Sequence, residues 1–477
     1  MIGKEVYEIS AEQFKLGMSS SLYAQDGGFS NQTYGFNIIG LAGMIRGNAV
    51  SDVSTNLTGT LIASCSDASG SGYNRILLDS SGAFYTYNGA VLTKRATGAK
   101  TYNTPHSDIE AFRGLAYVTS QTHLGTFNPS GFALSESVQA FSTSLAHPLC
   151  VFENQLYAGD GSSFWRVASG GGVTSVTMGL DASETIIATA VDPATGQMLV
   201  STVIAGGSVG SADYLRIASR FNVYLWDGVS AKASRQIRTE SLVTAFTVHD
   251  GDVYVGYDFN IGKWNGVGIE FIRKLGWRED DGASYTYGTN TAITKHRLVS
   301  VGKNLCAVDK FRVLVRTTTV EGKIAFFYIW KNTVNSNPFQ ILVPLGTYSG
   351  TGGLELGVGF DSNKFYQILL DSADGGYDAK FYSNPIYFPR PVFIRRIRIF
   401  TVGKNTSGNT RGTVGFINEN GTTVSPTIAG FKSSATQYVW DFDFTSLKVS
   451  SGQVYINGTD DIPLGIYRIL VYYDYAE

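Results

Sequence analysis

The chain has 477 residues, of which 43% are hydrophobic and 16% charged, with 37 Lys+Arg against 39 Asp+Glu and a formal net charge of −2. That length holds two or three domains with ample core, while the near-zero balance argues against a protein that binds nucleic acid through a basic face. No apolar run approaches the roughly 20 residues that cross a bilayer as a helix, and 55 Gly against 11 Pro suits many hairpins better than disorder.

Met1-Ile2-Gly3-Lys4-Glu5-Val6 lacks the basic-then-apolar pattern of an export signal, so synthesis in a cytoplasm without standard export is expected. Residues 1–56 are rich in Gly, Ser and Asn and read as an N-terminal arm. Its strongest strand candidate, Phe36-Asn37-Ile38-Ile39-Gly40-Leu41-Ala42, is expected to close a ring formed by the units that follow.

From residue 57 a short unit recurs: a strand, a tight turn, and a second strand rich in Leu, Val and Tyr. Clear copies are Phe112-Arg113-Gly114-Leu115-Ala116-Tyr117, Phe152-Glu153-Asn154-Gln155-Leu156-Tyr157 and Val248-His249-Asp250-Gly251-Asp252-Val253-Tyr254-Val255. Gly, Asn and Asp at the turns mark hairpins. Anchored on the strand after each turn, the series runs Arg75, Leu115, Leu156, Met198, Val253, Leu305 and Phe365, with spacings of 40, 41, 42, 55, 52 and 60. Such a period, with about four strands per unit, predicts a β-propeller of about seven blades over 57–384. The long fourth spacing has a source in the Gly/Ser-rich insertion Ile204 to Ser219. An aromatic followed by Asn or Asp opens a further hairpin in several units: Tyr87-Asn88-Gly89, Phe127-Asn128-Pro129, Trp226-Asp227-Gly228 and Trp264-Asn265-Gly266. Positive φ at the turn and packing of the aromatic on the neighbouring blade are expected there.

Near Pro385 the pattern changes. Ile386-Tyr387-Phe388-Pro389-Arg390-Pro391 reads as an extended linker. The long alternating strands after it predict a β-sandwich over 385–477. The predicted fold is all-β throughout.

Chemistry-bearing patterns are sparse. Cys65, Cys150 and Cys306 are too far apart for a disulfide framework or a metal set and read as buried thiols, two of them on inner strands. His106, His123, His147, His249 and His296 are isolated, and neither a metalloprotease, a nucleophile-elbow nor a phosphate-loop motif occurs. Asp79, Asp160, Asp250, Asp252 and Asp371 are the carboxylates available for a glycosidase pair, but each falls at a strand end or turn, where Asp caps the backbone. The acidic turns Asp250-Gly251-Asp252, Glu279-Asp280-Asp281-Gly282 and Asp371-Ser372-Ala373-Asp374-Gly375 lack the alternation of a calcium loop. Arg395, Arg396 and Arg398, with Arg390 nearby, read as solvated or domain-interface arginines, with Arg396 and Arg398 on one strand face and Arg395 on the other. No catalytic, cofactor-binding or metal-binding residue is assigned, and no enzyme activity or cofactor is expected. The low charge and 27 Tyr suit a subunit that buries its outside against copies or partners.

Three features together resemble virion proteins of tailed bacteriophages that carry a propeller followed by a β-sandwich. They are the arm Gly35-Phe36-Asn37-Ile38-Ile39-Gly40-Leu41-Ala42-Gly43-Met44-Ile45, the blades built from aromatic-Asn/Asp-Gly hairpins, and the exit Tyr382-Ser383-Asn384-Pro385-Ile386-Tyr387-Phe388 leading to Phe393-Ile394-Arg395-Arg396-Ile397-Arg398-Ile399. The resemblance spans most of the chain and transfers no residue role. It implies a structural subunit of the tail, tail tip or nozzle, located in the virion, with other virion subunits and copies of itself as partners and neither membrane nor specific nucleic acid. Tyr472, Tyr473 and Tyr475 are candidate contacts, core packing being an equal reading for half of them. The alternative is a glycan-binding or glycan-cleaving propeller, as a receptor-binding tail protein or a glycosidase. Convergent carboxylates with arginines at one tunnel mouth would mark the enzyme, and an uncharged, plugged tunnel the structural part.

Overall fold

A computed structural model describes residues 5–10, 36–38, 44–46, 50–53, 57–72, 75–103, 107–205, 218–257, 260–275, 295–308, 312–318, 324–331, 339–347, 354–360, 362–370, 379–401, 413–427, 438–458 and 465–476. Every regular element among them is a β-strand, and no helix is long and apolar enough to cross a membrane. Contacts divide the chain into two compact units, one of residues 51–311 and 336–367, the other of 1–50, 312–335 and 368–477.

Seven four-stranded antiparallel sheets form a seven-bladed β-propeller. The first strands of the blades are Leu61–Ser66, Ile109–Phe112, Leu149–Phe152, Glu184–Asp192, Val243–His249, Leu298–Val301 and Phe339–Thr347. Each of these packs against the next, and the seventh packs against the first, so they line the axis of a closed ring. The alternation of apolar residues in neighbouring blades makes the cores. Ile76 and Phe84 of blade one share a layer with Ala116 and Phe127 of blade two, and Phe152, Tyr157 and Phe164 of blade three pack on Met198 and Trp226 of blade four.

The hairpin reading holds in detail. Arg113 and Gly114 (φ 50° and 77°), Glu153 and Asn154 (46° and 58°), and Asp250 and Gly251 (50° and 80°) each place two successive residues at positive φ between the first and second strands, the two-residue turn that matches strand twist. The aromatic-Asn/Asp-Gly turns work differently. Positive φ belongs to the glycine alone, at Gly89, Gly228 and Gly266. The preceding Asn88, Asp227 and Asn265 keep ordinary backbone angles and accept hydrogen bonds from backbone N–H groups two and three residues on. The aromatics reach the preceding blade as expected: Phe127 stacks on Phe84 at 5.1 Å, and Trp226 stacks on Phe164 at 5.4 Å.

Two details of the ring differ from expectation. Phe365 begins the third strand of blade seven, Phe365–Leu369, whereas the second strand is Leu354–Phe360; the other six anchors all fall on second strands. The strand that completes blade seven is Val50–Asp52, held by Val53 N–H donating to the Phe365 carbonyl at 3.0 Å. Of the segment expected to close the ring, Phe36–Ile38 instead pairs with Met44–Arg46, and 39–42 lie outside the described residues.

The second unit contains a nine-stranded sheet, five of whose strands come from 385–477, the segment expected as a β-sandwich. Its path runs Phe36–Ile38, Met44–Arg46, Gly465–Tyr475, Ile386–Thr401, Val439–Gly458, Thr413–Asn418 and Thr423–Val424, with Glu5–Ser10 also on Gly465–Tyr475 and Ala379–Tyr382 also on Val439–Gly458. The N-terminal residues thus supply three strands to the sheet that carries the C-terminus. Ile386-Tyr387-Phe388-Pro389-Arg390-Pro391, expected as a linker, is the start of a 16-residue strand. Val392, Ile394, Ile397 and Ile399 are buried along it, with Phe442 and Trp440 on one neighbouring strand and Ile469 and Val471 on the other.

Candidate functional site

The site lies at the entry of the inner strands, where blades two, three and six face the axis. Asp108 precedes the first strand of blade two. Its Oδ1 accepts from Ile109 N–H at 2.7 Å, and its Oδ2 accepts from Leu149 N–H of blade three at 2.8 Å. One carboxylate thereby staples two adjacent blades.

Blade six enters through three consecutive basic residues, Lys295-His296-Arg297. Lys295 Nζ lies 2.7 Å from Asp108 Oδ2 and 3.1 Å from Glu110 Oε2. His296 Nε2 lies 3.2 Å from Asp108 Oδ1; an ionised carboxylate only accepts, so Nε2 carries the hydrogen. Arg297 turns the other way and donates from Nε to the Gln340 carbonyl of blade seven at 2.9 Å and from its terminal nitrogen to Gln340 Oε1. In a ring of seven, blades two and six are three steps apart by the shorter route. A side chain joining them crosses the axis.

The electrostatics decide what this cluster does. Asp108 and His296 are 8% and 9% exposed, Lys295 26% and Glu110 33%. Burial alone pushes the Asp108 carboxyl up, but the Lys295 ammonium and the His296 hydrogen bond bring it down to about 2. Burial pushes the Lys295 ammonium down, and Asp108 and Glu110 more than reverse this, holding it charged well above the ordinary lysine range. Cys65 and Cys150, on the first strands of blades one and three, feel the same charges. Burial, then the Glu110 carboxylate, pushes both thiols up, Cys150 to about 12, which leaves them protonated and poor nucleophiles.

A glycosidase pair needs one carboxyl that holds a proton near neutrality and a second that attacks or activates water. Asp108 is fixed in the ionised form, and Asp108 and Glu110 share one ammonium. The tunnel is therefore neither of the two arrangements expected from sequence: it is crossed by a charged cluster in which Lys295 pairs with both carboxylates.

Among the described residues, the carboxylates singled out in the sequence each have partners of their own. Asp79 is buried and accepts from Ser81 and Ala83 N–H groups and from the Thr58 and Tyr85 hydroxyls. Asp160 accepts from Ser142, Thr143 and the Trp165 indole. Asp252 pairs with Lys263 at 2.7 Å, and Asp250 with His249 at 3.2 Å. Asp371, His106 and the turns 279–282 and 371–375 lie outside the described residues. His147 is fully buried, with Nδ1 2.8 Å from the Gly159 carbonyl and its ring stacked 3.8 Å from Phe141, and no group of metal-ligating residues occurs among the described ones. All three cysteines are buried and outside disulfides.

In the second unit, Arg396 pairs with Asp443 at 2.6 Å and Asp441 at 3.0 Å, Arg398 with Asp441 at 2.6 Å, and Arg395 with Asp474 at 2.8 Å. A bulge between Ile394 and Arg396 breaks the alternation there and brings Arg395 to Asp474, on the side of its strand that Tyr472 shares with Arg396, where strict alternation would have sent it to the opposite face. Tyr473 and Tyr475 pack edge to face at 5.7 Å, Tyr473 meets Phe388 at 4.9 Å, and Arg390 sits 4.3 Å over Tyr475.

No protein family and no curated protein matches the sequence. Among solved structures, the extracellular domain of a putative hybrid two-component system from B. thetaiotaomicron is similar at 12% identity and a TM-score of 0.45, over 79% of this chain and 47% of that one. The chain thus spans about half the length of that structure.

Proposed function

We propose that this chain is a structural, non-enzymatic subunit of a tailed-phage virion, a tail or tail-tip component that assembles with copies of itself or with other tail proteins. The observation that carries this reading is the Lys295–Asp108–Glu110 cluster. It occupies the axis, the place where a propeller enzyme would hold its reacting groups, with carboxylates already bound to an ammonium from the opposite side of the ring. Such a cluster fixes blade positions, and its buried carboxylate, Asp108, is held ionised by the ammonium. The sparse charge of the chain, 16% of residues, supports a surface made for burial against other subunits, and the layout of arm, degenerate blades and C-terminal sheet supports the phage class.

Purified full-length chain is expected to form a discrete homo-oligomer and to turn over none of a panel of aryl glycosides and sialosides. A monomer that hydrolyses one of them, with loss of turnover in Asp108→Asn, would overturn the reading and favour a glycan-cleaving propeller.

A further inference from the structure

Blade seven meets blade one where the ring closes. Ile341, Val343, Leu345 and Phe365 of blade seven form one apolar layer with Leu61, Leu77, Tyr85 and Tyr87 of blade one. Against Tyr87 lies Glu355, on the second strand of blade seven, with no exposed surface. Its Oε1 accepts from Gln367 Nε2 on the third strand, and its Oε2 has no hydrogen-bond partner of ordinary geometry, the Tyr87 hydroxyl being its other polar neighbour. No cation balances this carboxyl among the described residues. The basic side chain across the register from Tyr87 is Arg75, and its guanidinium donates to the Pro344 carbonyl on the first strand of blade seven.

The rest of this seam is lightly held. Blade seven is completed by the three-residue strand Val50–Asp52, fastened by the Val53–Phe365 backbone bond and by an exposed Lys364–Asp52 pair at 3.1 Å. Local opening in a propeller is drawn from such regions of short strands and exposed contacts.

We propose that Glu355 is a proton-operated latch on the closing seam: neutral, it lets blades seven and one pack together, and ionised, it loosens that junction ahead of the rest of the ring. Burial pushes the carboxyl from 4.5 up to about 7, against the opposing effect of its polar neighbours Gln367 and Tyr87. Because the folded-state value is raised, the folded form holds the proton more tightly than the unfolded one. The stabilisation is whole below pH 4.5 and is lost as pH rises toward 7. From well below pH 4.5 to well above pH 7 the opening equilibrium rises by about two orders of magnitude, the factor that corresponds to the raised proton affinity.

The test is hydrogen–deuterium exchange of the full chain between pH 5 and 8, corrected for intrinsic exchange. Peptides covering Leu354–Phe360 and Ala83–Tyr87 are compared with Gln155–Asp160 of blade three. The latch predicts that seam protection falls with rising pH while blade three stays protected, and that Glu355→Gln, a neutral isostere, abolishes the pH effect. If Glu355→Gln fails to fold, Glu355→Met serves the same purpose, with a buried apolar side chain of like length. Seam protection in the native chain that does not change with pH would overturn the proposal, as would a pH effect retained in the neutral variants.

Discussion

Lys295 and Asp108 meet across the axis of the propeller, Nζ to Oδ2 at 2.7 Å, and Asp108 uses the same oxygen to accept the Leu149 N–H of blade three. The pair thereby ties blade six to blades two and three in the middle of the ring. Deleting one partner of a buried pair strands the other charge, whereas a surface pair contributes little.

Lys295→Met should therefore destabilise the chain by about 3–5 kcal/mol in urea unfolding, since it leaves Asp108 buried without its ammonium. Lys295→Met combined with Asp108→Asn should recover part of that loss. A single variant within about 0.5 kcal/mol of the native chain would show that the pair does not hold the ring.

Asp108 also sets an acid limit. Its folded-state value, about 2, lies below the ordinary 3.8, so its contribution is present above pH 3.8 and is lost as pH falls through 2. That difference corresponds to about 2 kcal/mol. Melting temperature should fall between pH 4 and 2, and Asp108→Asn should flatten the slope. With Glu355 acting in the opposite sense between pH 4.5 and 7, these two groups together place greatest stability near pH 4.

Two turn glycines separate backbone strain from packing. Gly266 has φ of +86° with open space around a built Cβ, so Gly266→Ala should lose about 1 kcal/mol to strain alone. Gly228 has φ of +79°, and its Cβ would stand 2.8 Å from Tyr157 Oη and 3.0 Å from a Phe152 ring carbon of the neighbouring blade. Gly228→Ala should lose about 2–3 kcal/mol, strain and overpacking together. Equal losses, measured by chemical unfolding, would contradict the close packing of blades three and four.

The arginine ladder should behave as a surface device. Arg398 and Asp441 are 29% and 33% exposed, so Arg398→Ala is expected to change stability by less than about 1 kcal/mol, and by less again in 0.5 M salt. A loss of several kcal/mol would mean that this face is covered in the native assembly.

Much of the ring was legible because its signals are local. Two-residue turns such as Arg113-Gly114 announce themselves within six residues, and six of seven anchors lie on second strands. Blade seven misled the count by one strand because it borrows Val50–Asp52 from far upstream, and three residues carry too little pattern to show it. Phe36–Ile38 reads as a stronger strand than Val50–Asp52, yet pairing partners, not propensity, decide where each goes. The axial cluster was hidden for a related reason. His296 and Asp108 are 188 residues apart, and only ring closure brings them together. The available signals were the run Lys295-His296-Arg297 and the i, i+2 carboxylates Asp108 and Glu110, each unremarkable alone.

Whether the chain is a structural subunit that assembles is decided by the native mass of the purified full-length chain, from light scattering after size exclusion with negative-stain images of the same fraction. A discrete ring or other closed oligomer of the 51.5 kDa chain is expected. A clean monomer at all concentrations, with or without tail proteins expressed beside it, would contradict it.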